Sequence, residues 1–170
     1  MLSFEVRSLA VNAAKVEGEL APDDDVWLPE DVRPDAPIQV TGRVSAAGND
    51  RFYFSGRMQG SATIDCRRCL TPVAVAVTDD VTAIFSDGSA DEDSDDPDIF
   101  PLAEGGKRVD LRPAIREQWV LNAPAYAECR PDCKGICPTC GADLNAGACS
   151  CAPATDGRWD ALRASRTRAD

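Results

Sequence analysis

The feature that most constrains this chain is its set of eight cysteines, which fall in four tight pairs: Cys66/Cys69, Cys129/Cys133, Cys137/Cys140 and Cys149/Cys151. Thiolates two to four residues apart can grip one metal ion from a single turn, and four of them complete the tetrahedral site that structural zinc prefers. Cys137-Pro138-Thr139-Cys140-Gly141 is the most informative segment. Its turn aims backbone N–H groups at the first sulfur, and Gly141 suits the positive φ that follows such a knuckle. Cys149 and Cys151 return to that pair after a short loop and complete one expected site. Cys129 and Cys133 remain, with Cys66 and Cys69 as their only available partners, so a second site is expected to staple the C-terminal cluster to the body of the fold. A rival partition joins Cys66 and Cys69 to Cys137 and Cys140. The first costs less loop entropy, although that penalty grows only slowly with length.

A disulfide framework would need an oxidising compartment. The N-terminus MLSFEVRSLAVNAAKVEG lacks an uninterrupted apolar region, since Glu5 and Arg7 break it, and no run is long enough for a membrane span. The expectation is a cytoplasmic chain with reduced, metal-binding thiols. Redox use of a C-x-x-C pair is the competitor, but the βαβ setting of thioredoxin-like enzymes is missing from the pattern.

With 170 residues and few aromatics, the chain suits one thin-cored domain plus an appendage, a case in which metal binding supplies folding free energy. The net charge of −11 excludes a surface that grips nucleic acid everywhere. Two four-thiolate sites with divalent ions would each add −2. Arg67, Arg68, Arg130 and Lys134 lie in or beside the thiolate pairs. They either screen that charge or contact phosphate or another partner.

Along the chain, Leu2, Phe4 and Val6 alternate as a first strand, and Ala21 to Pro37 reads as a loop pinned by Trp27 and Leu28. Ile38, Val40 and Val44 form a strand that ends at the turn Gly48-Asn49-Asp50. Phe52, Phe54, Met58, Ala62 and Ile64 share one parity of the next, whose Gly56 and Gly60 favour a bend or bulge. Cys66 to Cys69 then tips a hairpin, with Val73, Val75 and Val77 on the return and a further strand at Val81, Ala83 and Phe85. The expected fold is α+β but mainly β: a strongly curved antiparallel sheet or open barrel, one packing helix and a C-terminal four-cysteine zinc knuckle. A β-rich domain would span 1–127, a cysteine-rich segment 128–151, and a linker with a short basic helix 152–170.

The stretch 86–106 is dominated by Asp and Glu and reads as a disordered loop that could also attract a basic partner. A helix is expected over 110–122, with Asp110 as N-cap and Leu111, Ile115 and Trp119 as its apolar stripe. In the tail helix, Trp159 and Leu162 would pack inward and Arg158, Arg163, Arg166 and Arg168 would lend positive charge.

The ordered set D-C-R-R-C-L, an acidic loop, Asp110-Leu111-x-x-x-Ile115-x-Glu117-x-x-x-Leu121, then C-x-x-x-C-K-G-I-C-P-x-C-G-x-x-L-N and C-x-C resembles the YceD family of large ribosomal RNA subunit accumulation proteins. That resemblance implies a non-enzymatic bacterial role in 23S rRNA accumulation or maturation and in large-subunit assembly, and it assigns no RNA-contacting residue. The residues themselves agree in part. The chain contains no histidine, which removes histidine acid–base chemistry, and all-thiolate sites leave no open position for a catalytic water. Neither an enzyme nor a small-molecule substrate is expected. The partner is either rRNA, met by the knuckle cations, or a basic ribosomal protein, met by the acidic loop. A zinc-dependent redox sensor or chaperone, and a DNA-binding zinc module, are the competing classes.

Overall fold

The computed structural model describes residues 1–48, 50–87, 99–151 and 157–159. The elements run β1 (Ser3–Glu5), α1 (Val6–Leu9), β2 (Ala14–Leu20), β3 (Ile38–Gly48), β4 (Arg51–Asp65), β5 (Pro72–Ser86), β6 (Ile99–Pro101), α2 (Ala103–Gly106), β7 (Arg108–Asp110) and α3 (Arg112–Asn122). A final 3-10 turn covers Gly157–Trp159. The main sheet has the order β2-β3-β4-β5-β6, antiparallel except for the β5–β6 pair, and β1 pairs with β7 in a separate ribbon. Among the described residues β2 and β6 do not pair with each other, so the sheet is not a closed barrel.

Alternation places Val40, Val44, Phe52, Phe54, Met58, Val81 and Phe85 on one buried face, and α3 covers it with Leu111, Ile115 and Trp119. Pro113 sits in the first turn of the helix, and Ala123 turns extended just before Pro124. The helix runs from Arg112 with Leu111, not Asp110, at its N-cap position, and Leu111 already has helical dihedrals. The Asp110 carboxylate nevertheless accepts the Arg112 N–H at 3.1 Å.

Several expectations are corrected. Val81, Ala83 and Phe85 do not form a separate strand, because β5 runs unbroken from Pro72 to Ser86. The β4–β5 register holds without a slip from Phe52↔Phe85 to Asp65↔Pro72, so Gly56 and Gly60 mark neither bulge nor break. Among the described residues, the register shifts at Ala46/Gly48, between β3 and β4. The glycines instead allow close approach: a Cβ on Gly42 would lie 2.5 Å from the Ser55 carbonyl oxygen and one on Gly56 2.3 Å from that of Thr41, in the facing strand. Gly42 and Gly56 face each other, and a Cβ on Gly56 would lie 2.6 Å from Phe54 Cζ. A Cβ on Gly60 would lie 2.8 Å from the Trp119 ring.

Much of the acidic 86–106 stretch lies outside the described residues, but its C-terminal part is ordered as β6 and α2. The loop 21–37 is pinned by Trp27, whose indole donates to the Ala21 carbonyl at 2.8 Å, while Leu28 is half exposed. α3 completes the anchoring: Trp119 Nε1 donates to the Val32 carbonyl, and Arg116 makes a two-pronged contact with Asp31 at 2.6 and 2.8 Å. Trp159 is 57% exposed, not packed inward, and Leu162 lies outside the described residues.

Candidate metal centre

β4 and β5 continue past the start of β3 as a two-stranded arm, and its tip carries the first C-x-x-C. Across the tip, the Cys66 N–H donates to the Thr71 carbonyl and the Leu70 N–H to the Cys66 carbonyl, both at 2.9 Å. The second knuckle repeats this pattern: the Cys137 N–H donates to the Ala142 carbonyl at 2.8 Å and the Gly141 N–H to the Cys137 carbonyl at 2.9 Å. In both, the residue after the second cysteine is left-handed, Gly141 with φ 72° as the sequence suggests and Leu70 with φ 59°. A non-glycine there carries a steric cost that only a fixed turn tolerates.

The C-terminal segment is laid against this tip by backbone bonds. The Arg67 N–H donates to the Ala127 carbonyl at 2.9 Å, Cys66 and Ala127 form a parallel bridge, and the Ile136 N–H donates to the Arg68 carbonyl at 3.0 Å. The turn between these contacts brings Cys129 and Cys133 over Cys66 and Cys69. A second small ribbon, Ile136↔Asp143, supports Cys137 and Cys140 beside Cys149 and Cys151.

All eight thiols are free and form two groups, Cys66/Cys69/Cys129/Cys133 and Cys137/Cys140/Cys149/Cys151, with the sulfurs of each within 4.8 Å of one another. The grouping follows the expected partition, not its rival. In the first group Cys66 and Cys133 sulfurs are 3.9 Å apart and Cys69 and Cys129 sulfurs 3.6 Å. A tetrahedral ion with metal–sulfur bonds of ~2.3 Å sets its ligands ~3.8 Å apart, whereas a disulfide needs ~2.05 Å.

Electrostatics point the same way. Backbone N–H groups of Cys129, Arg68 and Cys69 lower the Cys66 thiol to about 6, and those of Cys140 and Thr139 lower Cys137 to about 6. Their neighbours resist ionisation: desolvation and the adjoining Cys133 and Cys69 thiols push Cys129 up to about 12, and the Cys140 thiol followed by desolvation pushes Cys151 up to about 11. Each group thus pairs a thiol that ionises readily, Cys66 or Cys137, with one that resists ionising, Cys129 or Cys151, and a bound cation would favour the thiolate form of the latter. Each donor set could hold one metal ion, and its softness and count suit zinc.

The family profile described as "Large ribosomal RNA subunit accumulation protein YceD" matches residues 54–164, from within β4 through both thiol groups. The chain belongs to the YceD family. It is 44% identical over 151 residues to the protein named "Large ribosomal RNA subunit accumulation protein YCED homolog 1, chloroplastic" from Zea mays, covering 71% of this chain and 50% of that one. It is 29% identical over 147 residues to an uncharacterized protein of Mycobacterium tuberculosis, covering 83% of this chain and 63% of that one. The chain therefore spans about half to under two thirds of the length of these relatives. No solved structure matches it.

In this YceD chain the four cations singled out from sequence surround the first thiol group, but three of them are engaged. Arg67 and Arg68 both pair with Glu128, and Arg68 also donates to the Cys133 carbonyl at 3.0 Å. Arg130 reaches Asp132 at 3.4 Å and the Asn145 side-chain oxygen at 2.8 Å. Lys134 is exposed, and it is its backbone N–H that meets Asn145, at 2.8 Å. These contacts go to carboxylates, a side-chain amide and a backbone carbonyl of the chain itself.

Sequence reasoning missed the residues that hold the ligands in place. Asn145 accepts from Arg130 and Lys134 through Oδ1, and through Nδ2 it donates to Asp143 at 2.8 Å and reaches Cys133 Sγ at 3.6 Å. Thr71 Oγ1 lies 3.3 Å from Cys69 Sγ and holds that thiol below its ordinary value. A polar residue just outside a ligand pair was the available signal for Thr71. Nothing in the spacing singled out Glu128.

Proposed function

We propose that this YceD protein is a non-enzymatic, cytoplasmic factor for accumulation of 23S rRNA and assembly of the large ribosomal subunit, with one zinc ion in each thiol group. The observation that carries the reading is the first thiol group, which joins a sheet-borne knuckle to the C-terminal segment and so makes one docking body of both. All positions of both groups are filled by protein sulfur, a set suited to structural zinc and not to activating a water. The family description and the name of the Zea mays relative supply the ribosomal context.

Between rRNA and a basic ribosomal protein, the contacts favour the protein. The knuckle arginines are occupied by Glu128, Asp132 and Asn145, and the chain carries −11. The test is sedimentation of the tagged chain with large-subunit precursors in a strain depleted of the native protein. Association in the precursor fractions, weakened by Cys66→Ser, is expected. A chain that stays free while precursors accumulate would end the assembly reading. Metal content separates it from a redox sensor: two zinc ions per chain, one in either Cys66→Ser or Cys137→Ser, and both retained under mild peroxide.

A further inference from the structure

We propose that the open edge of β5 is a binding site for an extended, Lys/Arg-rich strand of a protein partner, which adds to the sheet beside Ala74–Thr82. Strand geometry shows which groups are available. The Cys66 N–H bonds across the arm to Thr71, while on the opposite side of β4 the Asp35 N–H meets the Ser61 carbonyl and the Thr63 N–H meets Asp35 Oδ1. Even-numbered β4 residues therefore bond to odd-numbered β5 residues. The N–H and C=O groups of Ala74, Ala76, Thr78, Asp80 and Thr82 point away from β4. β6 covers only Ile84 to Ser86, and no backbone hydrogen bond among the described residues reaches the edge from Ala74 to Thr82. The C-terminal segment lies along the other side of the arm, at Ala127.

An open edge of ~30 Å is one that proteins normally blunt with lysine, a bulge or a covering element. Here the register is unbroken, and Pro72 protects only its first residue. Val73 and Val75 are half-buried, and Ala74 and Ala76 are exposed small side chains, so the edge offers a shallow shelf on both faces. Charge selects the occupant. Within Ala74–Thr82 the charged residues are Asp79 and Asp80, the latter paired with Arg57 at 2.8 Å, and the edge has no Lys or Arg of its own. A second copy would bring the same −11 to the same edge, whereas a basic strand gains Coulombic attraction along with its backbone bonds. The proposal rests on the assembly reading only for the source of that strand, a basic ribosomal protein.

The test uses the full zinc-loaded chain and a synthetic peptide of about twelve residues alternating Lys or Arg with Val or Thr, a length that spans the edge. Expected are saturable, salt-sensitive binding and at least tenfold slower amide exchange at Ala74, Ala76, Thr78 and Thr82. Ala76→Pro removes only an outward donor, and Thr78→Lys keeps the backbone but adds a repelling charge; each should weaken binding at least tenfold. Equal binding by both variants, protection mapped elsewhere, or a dimer formed through this edge would overturn the site. Co-sedimentation with precursors by chains that no longer bind the peptide would also remove the edge proposal while sparing the assembly reading. Peptide seated on the edge of a chain that never meets precursors would do the reverse.

Discussion

Gly135 lies where the C-terminal segment packs against the hairpin tip, and replacing it by alanine measures how far the first thiol group depends on that seam. Its φ is 75°, and a Cβ would lie 2.8 Å from the Arg68 carbonyl oxygen and 3.4 Å from Arg68 C and Cβ. The obstacle is backbone, and that same oxygen accepts the Ile136 N–H at 3.0 Å, so the segment can move away only by stretching its own anchor. The left-handed conformation costs an alanine ~1 kcal/mol, and weakening the anchor adds ~1–2 kcal/mol. The sum of ~2–3 kcal/mol corresponds to roughly 30–150-fold weaker zinc binding at the first group.

Two other glycines turn this into a graded series. Gly141 is also left-handed at φ 72° but a Cβ there meets nothing within 4 Å, so Gly141→Ala should show the conformational cost alone, at the second group. Gly147 has neither feature, and Gly147→Ala should change affinity by less than ~0.5 kcal/mol. Competition against a chromophoric chelator, read separately in Cys137→Ser and Cys66→Ser backgrounds, resolves the two groups. If Gly135→Ala costs no more than Gly141→Ala, close packing of the segment on the tip does not couple to metal binding, and the docking-body argument fails.

Other positions yield simpler expectations. Leu70 holds φ 59° with its side chain 58% exposed, so Leu70→Gly should stabilise the metal-bound chain by ~1 kcal/mol; an unchanged or lowered melting temperature would show that the side chain does more than pay a conformational cost. Gly60→Ala should lower the melting temperature by several degrees, since its Cβ would press the buried Trp119 ring and overpacking costs ~1–3 kcal/mol. Arg116 holds the Asp31 carboxyl below its ordinary value through hydrogen bonds. A depressed carboxylate stabilises the fold above the unfolded value of ~3.9 and loses that contribution as pH falls through its lower folded value. Asp31→Asn should therefore flatten the acid limb of the stability–pH curve below about pH 4, and an unchanged limb in acid-titration circular dichroism would contradict it.

The cysteine pairs, the long alternating strands and the Leu111/Ile115/Trp119 stripe were legible because each rests on spacing alone, whereas choosing between the two cysteine partitions needed loop entropy as well. What spacing hides is the neighbour. Gly42, Gly56 and Gly60 lie in a regular strand pattern, and only their neighbours show that the first two allow close approach of the facing backbone and of Phe54 while the third vacates space for the Trp119 ring. The β1–β7 pairing joins Phe4 to Val109 and cannot be read from either three-residue strand. The proline-rich loop 21–37 has no periodicity, yet Arg112 and Arg116 order it through Asp24, Asp25 and Asp31. Acid content made 86–106 look uniformly unstructured, but Ile99 to Pro101 carry enough β character to pair alongside the end of β5.

The burial pattern separates what holds the sheet from what holds the segment 128–151. The sheet body owns a continuous apolar core from Leu2 to Trp119, whereas the buried side chains of 128–151 are those of Cys133 and Cys137. Without metal, the segment has its backbone bonds and the polar contacts of Glu128 and Asn145 to set against the entropy of ordering its chain, and it would bring together thiols of which Cys129 and Cys151 resist ionising. Structural zinc binding is worth ~10–16 kcal/mol in small zinc modules and would reverse that balance. Chelation should therefore release amide protection at Ile136, Cys137 and Leu144 while leaving Val44, Phe54 and Val81 protected. Simultaneous loss of both sets would mean that the sheet, too, is folded by its metal, and that the apolar core under α3 is not sufficient by itself.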